Sequence, residues 1–148
     1  MKRLYFIFII LITLSGFGQM PIFKRYYVAD IPGLGWLAEF YVTHLMHYLT
    51  AIGLTALFFY VTTGLLLKKR SWSAVTKQGW AGGIFLFGLI VSGALLVIKN
   101  LEGIYWPHAL IIGLNLVHLV FCMGLLGTSM YSLVAKKAWI EKKSVYSG

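Results

Sequence analysis

Four apolar stretches divide the chain, at about residues 4–23, 40–67, 80–98 and 106–134, each bounded by charge or proline. The second and fourth are long enough to cross a hydrocarbon core of roughly 30 Å with some tilt. The pattern predicts an all-α fold, a transmembrane four-helix bundle forming one integral membrane domain over residues 1–148. The first stretch has a second reading. Lys2 and Arg3 precede it, and Ser15, Gly16, Phe17 and Gly18 close its most apolar part. This small-x-small end also resembles a secretory cleavage site, and cleavage there would leave three helices. Apolar character continuing through Met20, Pro21, Ile22 and Phe23 favours the uncleaved helix.

Counting basic residues on alternate sides of these spans gives an orientation. Lys2, Arg3, Lys68, Lys69, Arg70, Lys77, Lys136, Lys137, Lys142 and Lys143 share one side, and only Lys24, Arg25 and Lys99 fall on the other. The positive-inside rule puts both termini in the cytoplasm of an inner-membrane protein, with the connections around residues 24–39 and 99–105 outside. The outer connection carries Tyr26, Tyr27 and Trp36 around a Pro32-Gly33 turn signal, and reads as a segment lying in the interface. Trp72, Trp80, Trp106 and Trp139 flank span ends as belt residues.

Composition narrows the function classes. Of 148 residues, 59% are hydrophobic and 11% charged, with a mean hydropathy of +0.82, far from an average soluble domain. The net charge of +9 sits in short clusters between apolar runs, so it sets orientation and argues against nucleic acid. A single cysteine, Cys122, excludes disulfides within the chain, cysteine-ligated iron-sulfur clusters and zinc ribbons. Gly79 and Gly83 form a G-x-x-x-G at the start of the third span, continued by Gly88 and Gly93, which predicts close helix packing. No internal repeat, low-complexity run, phosphate loop or nucleophile elbow is evident.

The chemistry rests on four histidines, His44, His47, His108 and His118, all in or at the lip of the second and fourth spans. An ionisable group at membrane depth marks a functional site by default, and iron is a fitting partner for imidazole. At a rise of about 1.5 Å per residue, His47 lies roughly 10 Å below the outer boundary, His118 roughly 13 Å, His44 roughly 6 Å, and His108 at the surface. His47 and His118 therefore match best as axial ligands on facing helices. His44 shares a face with His47, too close in height for a second porphyrin. Asn115, three residues before His118, and Thr43, four before His47, are candidates to orient the rings, or else ordinary interhelical hydrogen-bonding groups. The outer lip gathers His108, Glu102, Lys99 and Arg25, groups able to exchange protons with a quinone near water.

Residues 14–18, Leu-Ser-Gly-Phe-Gly, residues 47–53, His-Tyr-Leu-Thr-Ala-Ile-Gly, and the histidine-bearing last span resemble the cytochrome b subunits of membrane-bound formate dehydrogenases, thiosulfate reductases and nickel-iron hydrogenases. The resemblance implies a four-helix bundle carrying haem b that passes electrons between a quinone and a partner iron-sulfur or molybdopterin-type subunit. In the two-haem members the first helix supplies one histidine and the last helix a second, deeper one. Here residues 4–23 hold none, and neither does the last span beyond His118. The resemblance thus implies a one-haem variant, with His47 and His118 on the iron. Such a chain is a subunit of an oxidoreductase and no complete enzyme by itself. Two other readings stand beside it. One is a haem-free membrane anchor or assembly subunit of a redox complex. The other is a small transporter using His44, His47 and His118 as a cation site, which would lack buried carboxylates because Asp30, Glu39, Glu102 and Glu141 all sit at or beyond span ends.

Overall fold

The computed structural model describes residues 2–20, 30–67 and 74–140. Among them the chain is all-helical: α1 is Lys2–Gly18, α2 Phe40–Leu67, α3 Lys77–Ile98 and α4 His108–Val134. A 3₁₀ turn, Gly35–Ala38, precedes α2. Three of these helices, α2, α3 and α4, are long and apolar enough to cross a membrane, whereas α1 has 17 residues. The chain is therefore compatible with a multi-pass membrane protein. The predicted extension of the first span to Phe23 lies outside the described residues, as do Tyr26, Tyr27, Trp72 and the basic groups Lys24, Arg25, Lys68, Lys69, Arg70, Lys142 and Lys143.

Helix ends follow local chemistry. α3 starts three residues earlier than the apolar pattern predicts, because Thr76 caps it, its hydroxyl accepting from the Gly79 amide at 3.1 Å. α4 starts at His108, directly after Pro107, and not at Trp106. It ends in a Schellman turn: Lys136 takes a positive φ of 51° and the Lys137 amide reaches the Ser132 carbonyl at 3.1 Å. That turn sends the chain back onto the start of α3. The Thr76 amide donates to the Trp139 carbonyl at 3.0 Å, the Thr76 hydroxyl lies 2.9 Å from the Ala138 carbonyl, and Val75 and Ile140 form an isolated bridge.

This return changes the role of the G-x-x-x-G. Gly79 faces the Trp139 backbone and Gly82 the Trp139 ring, while a Cβ at Gly83 would meet nothing within 4 Å. The motif accommodates the C-terminal return where helix-on-helix packing was expected, and Trp139 is a packing residue. Helix packing falls instead to Gly88, against the Phe121 ring of α4.

The contacts fall into two compact units, Met1–Gly64 and Leu65–Gly148. Each is a helical hairpin, α1 with α2 and α3 with α4. Compared with each other, the hairpins carry the same internal pattern. A shift of 77 residues takes Phe8, Ile9, Ser15 and Gly16 onto Phe85, Leu86, Ser92 and Gly93, and a shift of 71 takes His47, Gly53 and Leu54 onto His118, Gly124 and Leu125. Burial follows the pairing: Ile9 and Leu86, Ser15 and Ser92, Leu54 and Leu125 are all buried. So do the close contacts. Gly53 lies against the Phe8 ring and Gly124 against the Phe85 ring, where an added Cβ would come within 2.7 and 2.5 Å of ring carbons.

The exposed face also repeats. Leu45, Leu49 and Ile52 on α2 match Leu116, Val120 and Met123 on α4, all exposed apolar residues at the i, i+4, i+7 spacing of one helix face. An apolar face of this kind suits contact with membrane lipid. The expectation of no internal repeat is thus corrected: the protein contains one hairpin pattern twice.

Candidate functional site

Ser15 and Ser92 are polar groups in otherwise apolar helices, and each lies 0% and 3% exposed respectively. Buried hydroxyls need partners. Each finds one on its own helix and one on the next. Ser15 Oγ lies 3.1 Å from the Ile12 carbonyl and 3.2 Å from His47 Nδ1. Ser92 Oγ lies 2.7 Å from the Gly88 carbonyl and 2.8 Å from His118 Nδ1. The next residue makes room for the ring in both cases. A Cβ at Gly16 would come 3.2 Å from His47 Cε1, and one at Gly93 would come 3.4 Å from His118 Cε1. A Ser-Gly pair on the first helix of each hairpin therefore cradles a half-buried imidazole from the second.

The shared geometry has a chemical consequence. A serine hydroxyl carries one proton and two lone pairs. With that proton directed to the helix carbonyl, the oxygen accepts from Nδ1–H of the histidine. The proton of the neutral ring is then on Nδ1, and the ligand lone pair is on Nε2. This is the tautomer in which an imidazole binds iron through Nε2 while its other nitrogen is held by an outer hydrogen bond.

The remaining predicted residues are placed differently. His44 is drawn to the end of α1: its Nδ1 is 3.2 Å from Gln19 Oε1, and its ring stacks on Phe40 at 5.0 Å and meets Tyr48 edge-on at 4.4 Å. These contacts give it a packing role beside His47. Thr43, 1% exposed, bonds its own helix at the Glu39 and Phe40 carbonyls. Asn115 is exposed and donates to the Ile111 carbonyl at 3.0 Å. The groups that orient His47 and His118 are therefore Ser15 and Ser92, not Thr43 and Asn115. Only the residue pattern of the preceding helices, Phe-x6-Ser-Gly, could have signalled them.

His108 is exposed at the first position of α4, and Glu102 is exposed in the connection before it. Lys99 caps the end of α3, with Nζ 2.9 Å from Asn100 Oδ1. These three belong to one short connection of the second hairpin. Arg25, the fourth group assigned to the lip, lies outside the described residues.

A groove of about 310 Å³ runs between α3 and α4, with Gly88, Ser92, Leu114 and Phe121 among its lining residues. Its surface is hydrocarbon apart from Ser92. Among the described residues, no three or more His, Cys, Asp and Glu side chains come together. A bare cation asks for such a set, whereas a porphyrin iron brings four equatorial nitrogens and asks the protein only for axial ligands. An imidazole with its lone pair on Nε2, as in either hairpin, is by its chemistry a donor of that kind. Compared with known proteins, the chain matches no family model, no curated protein and no solved structure.

Proposed function

We propose that this chain is a haem b-containing electron-transfer subunit of a membrane oxidoreductase, linking a quinone pool to a partner redox subunit of iron-sulfur or molybdopterin type, in which His47 and His118 are the residues that would hold the haem iron. The observation that carries the reading is the pair of serine-histidine hydrogen bonds, Ser15 to His47 and Ser92 to His118; with each serine proton on its own helix carbonyl, Nε2 would be the nitrogen left to ligate in both imidazoles. Haem b, when bound, supplies a one-electron carrier between the two partners. The repeat supports the choice of these two among the four histidines, since they are the only ones that occupy equivalent positions in the hairpins. The position equivalent to His44 is Asn115, and that equivalent to His108 is Leu37.

The protein's own groups divide the remaining work. His47 and His118 are half-buried in their hairpins, and lipid around apolar helices would shield the rest of each imidazole from water. His108, with Glu102 and Lys99 in the same connection, would exchange protons with a quinone at the wet end of the spans, because quinone chemistry moves protons together with electrons. The test is the reduced-minus-oxidised α-band of the purified protein. It is expected in the wild type, absent in His47→Ala and in His118→Ala, and retained in His108→Ala. A wild type without haem, or a full band in His118→Ala, overturns the assignment.

A further inference from the structure

The geometry assigns Ser15 and Ser92 as equivalent positioning residues, one per hairpin, that hold His47 and His118 as Nδ1–H tautomers and so present Nε2 to a metal centre. This rests on the haem reading for its purpose, but the serine-histidine arrangement stands on the structure itself. Three features carry it. Each serine is buried and has its proton directed to a carbonyl of its own helix, at 3.1 Å for Ser15 and 2.7 Å for Ser92, so the oxygen faces the imidazole as an acceptor. Each is followed by a glycine against which the imidazole Cε1 rests. And the whole arrangement occurs twice, at matching positions of the two hairpins.

The duplication separates a built cradle from a chance contact. A serine or threonine inside an apolar helix can satisfy itself on the carbonyl three or four residues back, as Thr50 does with Met46 and Thr128 with Gly124. Ser15 and Ser92 make that local bond and a second one across the hairpin. The second bond fixes which ring nitrogen carries the proton and the rotation of the ring. Outer hydrogen bonds of this kind raise the basicity of the ligand, and their loss typically lowers metal affinity by about 10- to 100-fold.

The test uses the full chain in detergent micelles, first without haem. Histidine side-chain ¹⁵N shifts report the tautomer directly. Both His47 and His118 are expected as Nδ1–H in the wild type. Ser15→Ala should release His47 alone, and Ser92→Ala His118 alone, toward Nε2–H, with Ser15→Thr and Ser92→Thr retaining the original signal. Far-UV circular dichroism checks that the helices persist, and Ser92→Cys gives a variant of nearly the same volume should the alanine form fail to fold. Haem titration then follows: each alanine variant should bind about tenfold more weakly or worse, and the double variant more weakly again. An Nε2–H ring in the wild type, or unchanged tautomers in both alanine variants, overturns the assignment. So does an affinity loss under twofold in both. A wild type that shows the Nδ1–H tautomers and takes up no haem upholds the cradle and rejects the electron-transfer reading.

Discussion

Replacing Gly124 by alanine isolates the contact that locks the second hairpin. In a helix interior this change alone is favourable by about 1 kcal/mol, because glycine carries the larger backbone entropy cost. At Gly124, however, the new Cβ would lie 2.5 Å from Phe85 Cε1, with two more ring carbons within 2.8 Å. Ordinary carbon-carbon contact is about 3.5–4.0 Å, so the ring or the helices must give by about 1 Å. Forcing an extra carbon into a packed site of this kind costs about 1–3 kcal/mol.

Gly113 and Gly127 on the same helix provide the reference, since a Cβ there meets nothing within 4 Å. Gly124→Ala should therefore be about 1–3 kcal/mol less stable than Gly127→Ala. In a Phe85→Ala background the obstacle is gone and the difference should vanish, which makes the coupling measurable in a double-mutant cycle. Reversible unfolding in mixed micelles is a suitable assay. The first hairpin supplies a replicate, because Gly53→Ala and Phe8→Ala should couple with the same sign. A penalty at Gly124 that persists unchanged when Phe85 is removed would refute the reasoning.

Two further outcomes follow from the ends of the second hairpin. Thr76→Ala removes the cap of α3, worth about 1 kcal/mol, together with the hydroxyl contact to the C-terminal return. Trypsin should then cut faster at Lys136 and Lys137, with Thr76→Ser restoring protection; equal cleavage rates would mean that the return is held by something else. His108→Ala should slow quinol-linked haem reduction and spare the α-band, and an unchanged quinol rate would reject the exposed end of α4 as the site of proton exchange.

The helices were legible in the sequence because a long apolar run needs no partner to be recognised. The predicted span 40–67 coincides with α2, and the errors at the starts of α3 and α4 arise where Thr76 and Pro107 act as caps. The histidines were legible for the same reason, as costly groups in apolar surroundings. Their serine partners were not. Ser15 is 32 residues from His47 and Ser92 is 26 from His118, and nothing local distinguishes them from self-satisfied helix serines. Thr43 and Asn115 are closer to the histidines in sequence, yet each turns to carbonyls of its own helix. The repeat is hidden in the sequence because its two halves need different shifts, and because the aliphatic positions interchange freely between Ile, Leu and Val.

Those unequal shifts have a consequence of their own. α1 ends two residues past its cradle glycine, at Gly18, whereas α3 continues five past Gly93 to Ile98. Likewise His47 is seven residues from the start of α2 and His118 ten from the start of α4. Each helix of the first hairpin is thus three residues shorter at this end, about 4.5 Å at the α-helical rise. The imidazole of the first hairpin consequently has almost a full turn less insulation from its connecting segment than its counterpart. Two copies of one cradle therefore sit inside helical shells of different length, the shell around His47 being about 4.5 Å shorter at this end than the one around His118.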